Sequence, residues 1–369
     1  MATNKNQHFV PRCYLKEFTN SAEDKAINVY NLDRKKFIPL APVKNQCSRD
    51  YFYGNDDHLE EAIQSVERGY AFTLKSLLSS PHSINKNHEL ILKRFWLLQY
   101  MRTEASSKRA TEVANDMSKT VGLSGEEFNL KIKEAVLMAM RHFSEIMEII
   151  DDLKICIIHN KTSAPFITSD DPAVLSNRWH LNDIRTKYRS FGLHTCGNLL
   201  FLPLSPKFMC IFYDSDVYSI PNKNNFSKII RVDDVKAFNQ QQIINSKANV
   251  FIKDQDHRSF LEESIEESLI LRPEQRHRIN YAIFDYSENG YTRYKVIDPR
   301  LHKNNEEAII HIETIHSKPN LWPSIIFWKY KGVVYTNGTG LGYIRKSHIP
   351  IGLNNFKKEP SKLKMKNRF

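Results

Sequence analysis

The sequence predicts an α+β (mixed α/β) fold in which an N-terminal helical region packs on a central sheet, with a β-rich C-terminal part. Three observations predict it. Between residues 58 and 150, apolar side chains recur at helical spacing. From Lys154 to Asp214, short β-branched and aromatic runs are bounded by Pro, Ser and Asp. From Arg278 to Ile344, further runs of the same kind follow. The division expected is a main α/β domain over 1–270, a β-rich region over 271–344 and a basic, flexible tail over 345–369.

In the opening QHFVPRCYLKEF, Pro11 suits a helix's first turn and places Tyr14, Leu15 and Phe18 on one face, which is core material. Ala26–Leu32 and Lys35–Leu40 read as an antiparallel pair turning at Asp33-Arg34. After Asn55-Asp56-Asp57, Leu59, Ile63, Val66, Tyr70 and Leu77 form the stripe of an amphipathic helix. Asn85 or Asn87 caps a second helix that begins near His88 and runs to Lys119. Ser124–Glu127 has capping-box spacing and starts a third. Lys154–Asn160, Ala164–Ser169, Asn198–Leu204 and Phe208–Asp214 are strands; Asp233-Asp234 opens a helix, and Phe260–Leu269 forms another. Asn337–Gly342 (NGTGLG) lacks the Lys-Ser/Thr ending of a phosphate loop and reads as a hairpin turn.

An apolar fraction of 41% over 369 residues can fill a large core. Five scattered cysteines without CxxC spacing fit neither a disulfide framework nor a zinc clip. The start has no basic-then-apolar leader, and Leu90–Met101 is interrupted by Lys93, Arg94 and Gln99, so the expectation is a cytoplasmic protein with no membrane partner. Of the net charge of +11, seven charges come from Arg345–Phe369, whose eight Lys or Arg face only Glu359. Nucleic acid is therefore the expected partner of that tail.

The helix around Leu90–Met101 is apolar on nearly every side and should be buried, with Gln99, Arg102 and Thr103 on one flank of its end. A buried guanidinium demands a carboxylate or phosphate. The expected partner is the corner Thr168-Ser169-Asp170-Asp171, which sits at a strand's end. Asp170 and Asp171 make part of a Mg²⁺ site, which Glu60 or Glu67 would complete. His8 and Arg12 bracket a helix start, where free amides favour an anion.

These segments resemble a known family in their order. QHFVPRCYLKEF resembles the "QHYVPxxYLxxF" opening of the mainly microbial domain-of-unknown-function family 4238. SRDYFYG (Ser48–Gly54), LEEAIQSVE (Leu59–Glu67), LLQYMRT (Leu97–Thr103), FITSDDP (Phe166–Pro172), FLPLSP (Phe201–Pro206) and FNQQQIINSKANVFI (Phe238–Ile252) follow as in that family. Cys13 replaces a frequent aromatic, and Asn249 stands where alanine or arginine is usual. The resemblance implies a shared α/β fold and directs attention to His8, Pro11, Glu60, Glu67, Gln99, Arg102, Ser169 and Asp170. It implies no activity.

Two functions fit these residues. The first is a metal-dependent, nuclease-like hydrolase acting on a phosphate-containing substrate, with His8, Gln99 and Asp170 catalytic, Arg12, Arg102 and Ser169 on substrate, and Mg²⁺ on Asp170, Asp171 and Glu60. The alternative is a non-catalytic nucleic-acid or nucleotide-binding sensor in a microbial stress or phage-defence system.

Overall fold

The computed structural model describes residues 5–20, 23–79, 84–123, 125–288, 291–301, 307–352 and 355–362. The fold is mixed α+β, with eight α-helices and nineteen strands among these residues. The helices are α1 (Arg12–Leu15), α2 (Asp57–Ser79), α3 (Lys86–Arg102), α4 (Glu104–Thr120), α5 (Ile132–Glu145), α6 (Arg178–Asn182), α7 (Val232–Asn245) and α8 (Arg258–Leu269).

At the centre lies a five-stranded sheet ordered Phe226–Ile229, Lys154–Asn160, Phe208–Tyr213, Leu199–Ser205 and Val174–Ser176. Only its first pair is parallel. Alternate residues of these strands point to opposite faces, and both faces are covered. Ile155, Ile157, Leu200, Leu202 and Phe212 pack with Phe95, Trp96 and Leu97 of α3. Cys156, Ile158, Phe201, Met209 and Ile211 pack with Val235 and Phe238 of α7 and with Ile325, Ile326 and Val334. This two-sided burial explains why these strands are continuous apolar runs. It also explains why Phe95–Gln99 of α3, enclosed between sheet and helices, is buried on every side.

The opening segment is core, as its spacing predicts: Tyr14, Leu15 and Phe18 have no exposed surface. Tyr14 Oη lies 2.6 Å from Thr168 Oγ1, which ties the first helix to a four-stranded sheet ordered Lys36–Pro42, Ala26–Asn31, Asn249–Ile252 and Thr168–Ser169. Asn337–Gly342 joins the paired strands Val333–Thr336 and Tyr343–Ile344, as a hairpin turn should.

Two helix boundaries differ from expectation. The helix expected to run to Lys119 breaks at Thr103, which takes extended backbone and caps α4 by accepting from the Ser106 amide. The third helix begins at Ile132, after a 3-10 turn over Glu126–Phe128; Ser124 lies outside the described residues. Of the segment 345–369, Arg345 is buried and bonded to Asp152 at 2.7 Å, and Lys357–Pro360 pairs with Val333–Thr336. Residues 363–369 lie outside the described residues. All five cysteines are free thiols. Among the described residues, no helix is long and apolar enough to cross a membrane.

Candidate functional site

The expected site divides in two at the end of α3. Arg102 is fully buried, but its carboxylate partner is Glu67 of α2, at 2.7 Å between Nη1 and Oε1, and not the Ser-Asp-Asp corner. Gln99, with its amide oxygen turned toward the guanidinium, accepts from Nε and Nη2 at 2.7 Å each. Gln99 thus supports Arg102, and Arg102 holds Glu67, a charge-assisted arrangement that fixes that side chain.

Glu67 opens on a pocket of about 180 Å³ lined also by His8, Arg12, Glu60 and Gln64. Glu60, Gln64 and Glu67 stand at i, i+4 and i+7 on α2, hence on one stripe, and Gln64 donates to Glu60 at 3.3 Å. Gln7 secures the wall by donating to the Gly54 carbonyl at 3.1 Å and accepting from the Tyr53 amide at 2.7 Å. His8 Nε2 is buried and has no hydrogen-bond partner among the described residues. Burial, aided by the Arg12 and Arg102 charges and opposed by the Val43 backbone and Glu67, holds His8 below its ordinary value, which favours the neutral ring. Burial also pushes the Cys13 thiol up to about 12, which removes it as a nucleophile.

The Ser169–Asp171 corner is a latch. Asp170 accepts from the backbone amides of Lys247, Ala248 and Asn249 at 2.8, 2.8 and 2.9 Å, closing the turn between α7 and its following strand. Burial nevertheless pushes its carboxyl up to about 6, against those three amides. Ser169 donates to Gln242 at 3.0 Å. Asp171 accepts from Thr103 Oγ1 at 2.7 Å and pairs with Arg109 at 2.6 Å, which fixes the α3–α4 break. The carboxylates expected to share Mg²⁺ therefore do not converge: Glu60 lines the N-terminal pocket, while Asp170 and Asp171 have their oxygens engaged elsewhere. Among the described residues, no three His, Cys, Asp or Glu side chains group as a metal site.

Beyond Asp171 lies a feature that sequence reading missed. A cavity of about 670 Å³ is lined by Lys108, Arg109, Lys247, Arg272, Arg276 and Arg278, with four carboxylates also on its walls. One of these, Asp116, is engaged by His277 at 3.0 Å. Half-buried Arg276 donates to Ser317 Oγ at 2.6 Å and to the Ile244 carbonyl at 2.7 Å. Arg272 donates to the Ser246 and Lys247 carbonyls, both at 3.0 Å. Neither has a carboxylate partner among the described residues. Burial, then the Arg109 and Arg272 charges, push Arg276 down to about 10. Nothing in LRPEQRHR marks these arginines, because a loop rich in charge normally reads as solvated.

The family described as "Protein of unknown function (DUF4238)" matches residues 6–256, more than half of the chain, and the protein belongs to that family. The match ends before Arg272 and Arg276, so the cavity joins family and non-family residues. No curated protein and no solved structure matches the chain.

Proposed function

We propose that the protein binds a phosphate-containing ligand of nucleotide size in the cavity of Arg109, Arg272 and Arg276. One observation carries this reading. Two half-buried guanidiniums share the cavity, and among the described residues no carboxylate lies within ion-pair distance of either, although burying such groups unpaired is costly. A phosphate supplies the missing charge and matches their fork of donors. The volume of about 670 Å³ falls within the range of small-ligand sites. Thermal unfolding with added pyrophosphate or ATP tests it. At a hundredfold excess over Kd the wild type should gain about 2.7 kcal/mol, and Arg276→Gln should gain almost nothing. Equal gains in both proteins, or none in the wild type, contradict the reading.

A hydrolytic reading has separate support in the unpartnered Nε2 of neutral His8, which shares a pocket with Glu60, Glu67 and Arg12. There His8 would accept a proton from an attacking water, and exposed Arg12 would hold the phosphate. Any Mg²⁺ would enter on the substrate's phosphates, with Glu60 as its protein ligand. Incubation with labelled single-stranded RNA and DNA, with and without Mg²⁺, should show cleavage that His8→Gln lowers at least a hundredfold. Cleavage that survives the substitution removes His8 from the chemistry.

A further inference from the structure

On the C-terminal side, the strand Phe327–Trp328 leads into a tight turn, with Gly332 N bonded to the Lys329 carbonyl at 3.1 Å. The sequence here, FWKYKG, alternates aromatic rings with lysines. Bonds from Lys329 N to the Val217 carbonyl (2.9 Å), from Val333 N to the Asp216 carbonyl (2.9 Å) and from Ser361 N to the Gly332 carbonyl (2.8 Å) hold the turn rigid. It projects Tyr330, which is 85% exposed, and leaves Phe327 54% exposed. Trp328 lies between two cations, Arg178 at 5.3 Å and Lys362 at 5.1 Å from its ring centre.

Beside these rings runs a groove of about 790 Å³, lined by Trp328, Tyr330, Lys329, Lys331, Lys358 and Lys362. Its single acid, Glu359, is paired with Arg185 at 2.8 Å and accepts from Tyr343. Among the described residues, Lys331, Lys358 and Lys362 have no carboxylate partner, and Lys329 has only Asp216 at 3.5 Å. Exposed flat rings are poor solvent-facing groups, and four lysines around them repel one another. A ligand that stacks on rings while carrying regular negative charge relieves both.

We infer that this groove binds single-stranded nucleic acid, with bases stacking on Tyr330 and phosphates running along Lys331, Lys358 and Lys362. Ring stacking accepts any base, so little sequence preference is expected. Bases paired within a duplex offer no free face to Tyr330, so single strands should be preferred. The site is distinct from the arginine cavity and independent of what that cavity binds.

Fluorescence anisotropy with labelled (dT)12, (rU)12 and a 12-base-pair duplex tests the inference on the full chain. Trp328 packs against Tyr218 and is unsuited to substitution; exposed Tyr330 is suited. Tyr330→Ala should weaken single-strand binding about tenfold with an unchanged melting temperature. Replacing Lys331, Lys358 and Lys362 by Gln should reduce the slope of log affinity against log salt by about 2. Wild-type affinity in Tyr330→Ala, or duplex binding as tight as single-strand binding, would each overturn it.

Discussion

Arg102 and Arg276 both place a guanidinium inside the protein, and their surroundings differ in kind. Arg102 is enclosed by a carboxylate and an amide oxygen, with Glu67 and Gln99 each at 2.7 Å. Arg276 meets a hydroxyl and a carbonyl, and the charges acting on it are those of Arg109 and Arg272 and, more weakly, the Asp171 carboxylate. The first arrangement meets the charge with a carboxylate and three hydrogen bonds. The second retains unspent positive charge, which is the property a phosphate site needs. The difference separates a structural from a recognising arginine by partner chemistry.

The largest expected effect breaks the complete pair. Glu67→Ala leaves Arg102 buried without its counter-ion and should cost about 3 kcal/mol in urea unfolding. Arg276→Met should stay within about 1 kcal/mol of wild type, because removing an unpaired buried charge offsets its lost bonds. The Ile244 carbonyl keeps a donor in Ser317 Oγ at 3.0 Å. Equal costs for the two substitutions would erase the distinction.

Next in size is the latch. Asp170→Asn forfeits acceptors for three backbone amides and should destabilise by about 2 kcal/mol. Asp171→Asn should also destabilise, by freeing Thr103, yet should tighten pyrophosphate several-fold, since Asp171 competes with an anion for Arg109. Weaker pyrophosphate binding in that variant would place Asp171 on the ligand's side.

The smallest effect is a titration. Burial, then His180, and further the Arg276 and Arg109 charges push His316 down to about 3, against a bond with the Phe191 backbone. Its folded value lies below the unfolded one, so the stability contributed by the neutral ring is complete above 6.5 and lost as pH falls toward 3. An anion between the arginines cancels part of their repulsion. Pyrophosphate should therefore raise the His316 value by about half a unit in NMR titration; no movement would put the anion elsewhere.

Much of this architecture was legible in the chain. Tyr14, Leu15 and Phe18 show their buried face through local spacing, and the two-sided burial of Lys154–Asn160 shows in its unbroken apolar run. The need of Arg102 for an acid was legible too. Its choice of Glu67 was not, because α2 and α3 meet only in three dimensions, and the acids at the strand end, Asp170 and Asp171, pointed elsewhere. The break at Thr103 depends on Asp171, 68 residues away, and no propensity in RTEASS announces it. His8, Arg12 and Glu60 do share a pocket. Arg272 and Arg276 escaped notice because an exposed and a half-buried arginine have the same sequence context.

On the proposed reading Arg272 and Arg276, which no carboxylate pairs among the described residues, receive phosphate beside Arg109, whereas Arg102 cannot. Crystals soaked in tungstate, a heavy tetrahedral oxyanion, test it directly through anomalous difference density. The account predicts a peak within hydrogen-bond reach of Arg272 and Arg276 that disappears in Arg276→Gln. A peak beside Arg102, or density indifferent to the loss of Arg276, would contradict it.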